Sequence, residues 1–193
     1  MSTALIVVLV IVGLIVVVGL VVGLWAVGAY NKLVALRESV KNGWSQVEVL
    51  LKRRHDLIPN LVETVKGYAS HESETLENVI AARNQAISAN TVEGQAKAEG
   101  ELSGALSRLM AVAEAYPDLK ANSNFQQLQG ELTNTENGIA GQRQAYNNTV
   151  QRYNQTVQTV PTNFIAGPFG FTQQPFFEVT SDAEREAPKV SFS

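Results

Sequence analysis

His55 and His71 are the two histidines of the chain, and they are its first candidates for catalysis or metal binding near neutral pH. The run His71-Glu72-Ser73-Glu74 begins like a zinc-binding helix, but Thr75 stands where the second histidine is required. His55-Asp56 is an acid–base pair in sequence only, because adjacent residues do not share a helix face. We therefore interpret it as a surface pair.

The remaining residue types also argue against an enzyme. The chain has no Cys, which excludes disulfides, thiol nucleophiles and cysteine-ligated metals. It has no nucleophile elbow, phosphate-binding loop or calcium loop. We predict no catalytic residue, no metal site and no cofactor. The net charge of −3 gives no support to nucleic-acid binding, and we interpret the basic run Lys52-Arg53-Arg54 as a solvated helix face.

A membrane anchor is the clearest element of the sequence. Residues Ala4 to Ala29 form 26 positions without a charged side chain, rich in Val, Leu and Ile. About 20 apolar residues span the hydrocarbon core of a bilayer. A cleaved signal peptide is disfavoured, because a basic leading region is absent and the apolar run is too long. We predict a transmembrane helix over residues 1–30 and name the lipid bilayer as a partner.

The residues after this segment predict its orientation. Trp25 and Tyr30 suit a membrane–water interface, and Lys32 and Arg37 follow at once. Cationic side chains favour the cytoplasmic side. We predict a single-pass protein of the bacterial cytoplasmic membrane, with its N-terminus outside.

Two glycines suggest that the membrane helix associates with itself. Gly19 and Gly23 form a GxxxG pattern, which lets two membrane helices approach closely. The alternative is a chance spacing, because glycine is common in such helices. We predict a homo-oligomer that packs at Gly19 and Gly23.

Beyond Tyr30, apolar residues recur every three or four positions, which predicts amphipathic helices over 31–161. The membrane helix is expected to run directly into the first of them. Pro59 interrupts this helix, because it has no N–H to donate to the carbonyl of His55. We expect either a kink or two helices stacked end to end.

The last long helix carries a heptad seam of the coiled-coil type, with flanks rich in Asn and Gln rather than in charges. Uncharged flanks favour a seam that packs on its own chain. The seam consists of Phe125, Leu128, Leu132, Thr135, Ile139, Tyr146, Val150, Tyr153, Val157 and Val160.

Residues 162–179 lose the helical period and are rich in Phe, Pro and Gly. We call them the aromatic strap; its phenylalanines are Phe164, Phe169, Phe171, Phe176 and Phe177. Such residues must lie against something. The strap either covers the end of the bundle or contacts a partner or membrane surface. Residues 180–193 are charged and small, and we predict a disordered tail.

Several strings, in order, resemble the LemA family of bacterial membrane proteins. They are WSQVE at 44–48, KRRHDLIPNLV at 52–62, YPDLKAN at 116–122, FQQLQGELTNTENGI at 125–139, RQAYN at 143–147 and FFE at 176–178. The resemblance is expected to cover residues 4–178 and to leave out the tail. It implies an N-out, single-pass protein with a cytoplasmic antiparallel helical bundle, and it does not imply an enzyme.

The matching polar residues form a candidate polar or partner site, or else a network of bundle capping groups. They are Asp56, Asn60, Glu131, Glu136 and Arg143.

We therefore predict an all-α protein, in which one transmembrane helix continues into an antiparallel three- to four-helix bundle. The favoured function is a non-catalytic, self-associating membrane scaffold or adaptor. The alternative is an accessory subunit of a membrane protease or envelope-stress system, with another membrane protein as its partner. A cryptic hydrolase that uses His55 or His71 is the third hypothesis.

Overall fold

The computed structural model describes residues 3–178, which form six α-helices and no β-strand. The predicted all-α fold is confirmed. The helices are α1 (Thr3–Lys66), α2 (Ser73–Ser88), α3 (Val92–Glu114), α4 (Pro117–Ala121), α5 (Ser123–Gln158) and α6 (Asn163–Ala166). The short α6 lies inside the aromatic strap, and the predicted disordered tail lies outside the described residues.

The apolar segment and the first amphipathic segment are one helix of 64 residues, as predicted. Pro59 lies inside this helix and does not end it, so two stacked helices is the wrong alternative. The helix continues through Pro59 because the residues around the proline are packed in the core: Ile58 and Leu61 are 0% and 1% exposed. The carbonyl of His55, which Pro59 leaves without its helical donor, accepts a hydrogen bond from Nε of Arg83 at 2.7 Å.

The chain divides into two compact units, and α1 and α5 each contribute to both. Within residues 43–147 and 175–178, parts of α1 and α5 pack with α2, α3 and α4 around one apolar core. The core side chains follow the predicted three-and-four spacing. They include Ile58, Leu61, Val65, Leu76, Val79, Leu102, Leu106, Leu109, Leu119, Phe125, Leu128 and Leu132.

The other unit contains residues 3–42 and 148–174. Leu33, Val150 and Tyr153 are each 0% exposed there, and Phe171 is 4% exposed. The seam of α5 is buried within its own chain from Phe125 to Tyr153, as its uncharged flanks predict, whereas Val160 is 65% exposed.

Candidate functional site

The first candidate site is the apolar part of α1. Every large apolar side chain from Leu5 to Val27 is at least 39% exposed. In the described part of the chain, α1 is the one helix long and apolar enough to cross a membrane. An exposed apolar surface of this length is stable in lipid and unfavourable in water, because about 25 cal/mol is lost for each Å² of apolar area left in water. The helix therefore has the surface of a membrane anchor.

The two predicted packing glycines lie on this exposed surface. A Cβ atom added at Gly19 or Gly23 would meet nothing within 4 Å. The face is thus open, which a close approach of a second helix requires.

The predicted interface residues divide into two groups. Trp25 is 39% exposed, and Lys32 is exposed. Tyr30 and Arg37 instead contact the aromatic strap. The Tyr30 ring centroid lies 5.2 Å from that of Phe169 and 5.6 Å from that of Phe171, both edge-on. The Arg37 guanidinium lies 4.9 Å from the centroid of Phe171, a cation–π distance.

The second candidate site is a buried ion cluster of Arg54, His55, Glu99, Ser103 and Glu136. Nη1 of Arg54 donates to Oε2 of Glu99 at 2.8 Å, and its Nη2 bonds Oγ of Ser103 at 2.7 Å and Oε1 of Glu136 at 2.8 Å. Nε2 of His55 lies 2.8 Å from Oε1 of Glu99. The cluster joins α1, α3 and α5; the side chains of Arg54 and Glu99 are 2% and 4% exposed, whereas Glu136 at its edge is 40% exposed.

Two sequence interpretations are wrong here. Arg54 does not lie on a solvated face, since its side chain is 2% exposed. His55 is not part of a surface pair, since it is 7% exposed and bonds Glu99 rather than Asp56. Both errors come from treating charged residues as solvated, although Arg54 lies three residues after the buried Leu51 and four before the buried Ile58.

The predicted polar site is only partly brought together. Glu136 belongs to the buried ion cluster, and Arg143 lines a cavity of about 100 Å³ beside it. Oε2 of Glu131 lies 4.0 Å from Nη2 of Arg53 on the surface. Oδ2 of Asp56 lies 3.2 Å from Nζ of Lys52, also on the surface, and Asn60 is exposed.

The charged groups of the cluster are fixed by hydrogen bonds to one another, which suits a structural connection between helices. Oε1 of Glu99 accepts a bond from Gln95 as well as contacting His55, and its other oxygen is held by Arg54. Burial raises the pKa of Glu136 above its ordinary value, against the opposing charge of Arg54. Residues 3–178 contain no group of three or more His, Asp or Glu side chains arranged to hold a metal ion.

The aromatic strap is held by asparagines that sequence reasoning missed. Asn154 Nδ2 donates to the carbonyl of Gln174 at 2.9 Å, and its Oδ1 accepts from the Gln174 N–H at 2.8 Å. Asn147 makes the same pair of bonds with Phe177, at 3.2 and 2.9 Å. Each asparagine side chain thus bonds both the backbone N–H and the backbone carbonyl of one strap residue. This explains part of the Asn-rich flank of α5.

The end of the strap packs on an aromatic cluster. The Trp44 ring centroid lies 5.5 Å from those of both Tyr146 and Phe177. The hydroxyl of Tyr146 donates to the carbonyl of Pro175 at 2.9 Å, and burial raises the pKa of this phenol to about 12. Phe171 and Phe177 are buried, whereas Phe164, Phe169 and Phe176 are 68%, 61% and 38% exposed. The strap therefore covers its own chain with two rings and leaves three outward.

Comparison with known proteins gives a family and several named relatives. The model of the LemA family matches residues 43–192. Magnetosome protein MamQ 2 of Paramagnetospirillum magneticum is 26% identical over 77% of this chain, and MamQ of Magnetospirillum gryphiswaldense is 24% identical over 77%. Protein LemA of Metamycoplasma hominis is 26% identical over 72% of this chain. The chain spans 64% of the length of each of these relatives.

The matched range corrects the expected extent of the resemblance. The match begins at residue 43, so it leaves out the apolar segment. It continues to residue 192, so the charged tail is inside the family pattern and not outside it. These homologues and the apolar helix indicate a membrane-associated helical protein. Because the family model covers most of the sequence, this chain belongs to the LemA family.

Proposed function

We propose that this chain is a non-catalytic scaffold or adaptor of the bacterial cytoplasmic membrane, anchored by residues 4–29 and self-associating through Gly19 and Gly23. The observation that carries the proposal is the exposed apolar surface of α1 from Leu5 to Val27, with its open glycine face. A membrane segment whose large apolar side chains stay exposed in the described part of the chain is available to a second copy.

The orientation is part of the proposal. Lys32, Arg37 and Lys41 follow the apolar segment within 12 residues of Ala29. Cations this close to a membrane segment favour the cytoplasmic side. The helical bundle would then lie in the cytoplasm, where its exposed surfaces can meet other proteins.

The glycine face is tested by the mass of the full-length protein in mild detergent, measured by light scattering. The test variant is Gly19→Leu/Gly23→Leu. The matched control is Gly13→Leu/Gly28→Leu, which adds the same bulk at positions about 80–180° away around the helix. A Cβ at Gly13 or Gly28 also meets nothing within 4 Å, so the two pairs of positions are matched in their local surroundings.

We expect a defined oligomer in the wild type and in the control, and a monomer in the test variant. An oligomer that resists the test variant would move the interface away from Gly19 and Gly23. A monomer in all three would contradict self-association. The alternative, an accessory subunit, predicts that monomer together with a fixed-stoichiometry complex with a different membrane protein on crosslinking from Asn134→Cys, an exposed position of α5.

A further inference from the structure

We propose that an exposed apolar patch, made of Val160 just before the aromatic strap and of Phe164 and Phe169 within it, inserts into the bilayer interface beside the protein's own membrane helix. The inference rests on the proposed membrane anchor and adds a second, peripheral lipid contact to it. The three side chains are 65%, 68% and 61% exposed. Exposed aromatic side chains of this kind mark a contact surface.

The position of the patch indicates that lipid covers it. The ring centroid of Phe169 lies 5.2 Å from that of Tyr30, and Tyr30 directly follows Ala29, the last residue of the apolar segment. Phe169 therefore lies at the height where the apolar segment of α1 ends. A surface at this height faces lipid headgroups and the outer acyl carbons, where aromatic side chains are favoured.

The charge pattern supports the same occupant. Residues 153–174 contain no Asp, Glu, Lys, Arg or His, although charged side chains occur earlier in α5 at Glu131, Glu136, Arg143 and Arg152. Charged side chains are common on surfaces that face water. A surface that enters the bilayer excludes them, because a charged group is costly to desolvate there. Lys32 is exposed nearby on α1, where a cation suits anionic headgroups.

The turn after α6 fixes the patch in place. Gly170 has a φ of +70°, a backbone conformation that favours glycine. The N–H of Phe171 then returns to the carbonyl of Ala166 at 2.9 Å, which buries Phe171 and leaves Phe169 outward. The buried Phe171 anchors the turn to the protein, and the turn holds the ring of Phe169 in an exposed position.

The absence of native cysteine allows a direct test with single spin labels. Phe164→Cys and Phe169→Cys are labelled in the full-length chain, reconstituted at one copy per lipid nanodisc. Accessibility to oxygen, which concentrates in lipid, is compared with accessibility to a water-soluble nickel complex. Val21→Cys, on the exposed apolar helix, serves as the lipid control. Asn42→Cys, exposed about 18 Å further along α1 from Tyr30 at 1.5 Å per residue, serves as the water control.

We expect an oxygen-to-nickel ratio several-fold higher at 164 and 169 than at 42, approaching that at 21. A ratio at 164 and 169 equal to that at 42, with a lipid value at 21, would overturn the patch and leave the anchor intact. A water value at 21 would instead contradict the anchor itself. Labels at 164 and 169 that neither reagent reaches would show a protein contact in place of lipid, and would also overturn the proposal.

Discussion

Arg83 compensates for the hydrogen bond that Pro59 removes from α1, and this contact can be tested quantitatively. In a regular helix the N–H of residue 59 donates to the carbonyl of residue 55. Proline has no N–H, and Nε of Arg83 occupies that acceptor at 2.7 Å. The carbonyl belongs to His55, which is 7% exposed, so water offers little replacement. We expect Arg83→Met, which keeps much of the aliphatic stem, to leave this carbonyl unsatisfied.

The magnitude follows from the cost of a buried polar group without a partner. Leaving such a group unsatisfied costs about 1–3 kcal/mol, and we expect Arg83→Met to lower the free energy of unfolding by that amount. The other bond of Arg83, to Asn84 at 3.3 Å, is exposed and contributes little. In a Pro59→Ala background the helix supplies its own N–H, and the cost of Arg83→Met is expected to fall below about 0.5 kcal/mol.

The assay is urea unfolding of the full-length protein in detergent, followed by the fluorescence of Trp44 in a Trp25→Phe background. Trp44 contacts Tyr146 and Phe177 and therefore reports on the folded core around it. The urea concentrations at the unfolding midpoint are compared at a common m-value, which is the slope of the unfolding free energy against urea concentration. A change in midpoint is then a change in stability. An equal cost of Arg83→Met with and without Pro59 would refute the reasoning.

Three further predictions concern stability. Arg54→Ala leaves the buried carboxylate of Glu99 without its arginine partner and should cost about 3–5 kcal/mol in urea unfolding, whereas Arg53→Ala at the exposed neighbouring position should change stability by less than about 0.5 kcal/mol; similar costs would contradict the buried cluster. The pKa of Glu136 is raised in the folded state, so the stability that its protonation contributes is present below the ordinary pKa of 4.5 and is lost as pH rises through the raised value. Melting curves should therefore show the wild type losing stability relative to Glu136→Gln as pH rises from about 4.5. A gain would contradict the pKa shift. Asn154→Ala removes both bonds to Gln174 and should cost about 1–3 kcal/mol in thermal or urea unfolding, and no loss would show that the strap is held by its rings alone.

The fold was accessible from sequence because it rests on local periodicity. An uncharged run of Val, Leu and Ile predicts a membrane helix wherever it occurs, and the three-and-four spacing of the following residues predicts their buried face. The one large uncertainty was Pro59. Its outcome depends on Arg83, which lies 24 residues away in another helix, and no local rule predicts such a donor.

The buried ion cluster was missed although a signal for it exists. Arg54 lies in phase with the buried Leu51 and Ile58, and Glu99 lies in phase with the buried Ala96 and Leu102. A charged residue at a position that the periodicity assigns to the core predicts a buried pair, because a lone charge is too costly there. Periodicity does not tell which helices face each other, so the partners of the pair required the structure.

The aromatic strap marks the limit of sequence reasoning. Its composition predicts that it must lie against something, but it has no period from which buried and exposed rings can be separated. Phe171 is buried and Phe169 is exposed because the turn at Gly170 brings the N–H of Phe171 back to the carbonyl of Ala166, and no local pattern predicts this turn. Asn147 and Asn154 hold the strap through backbone bonds, which leave no trace in the type of residue they hold.

The most direct test of the account is the membrane topology of the full-length chain, read from single cysteines at Ser2→Cys and Asn134→Cys. Spheroplasts are treated with a membrane-impermeant maleimide before and after permeabilisation, and the membrane fraction is analysed by mass spectrometry. We expect an intact chain that is labelled at position 2 in sealed spheroplasts and at position 134 only after permeabilisation. Labelling of position 134 in sealed spheroplasts would contradict the cytoplasmic bundle, and loss of residues 1–29 from the mature chain would contradict the anchor.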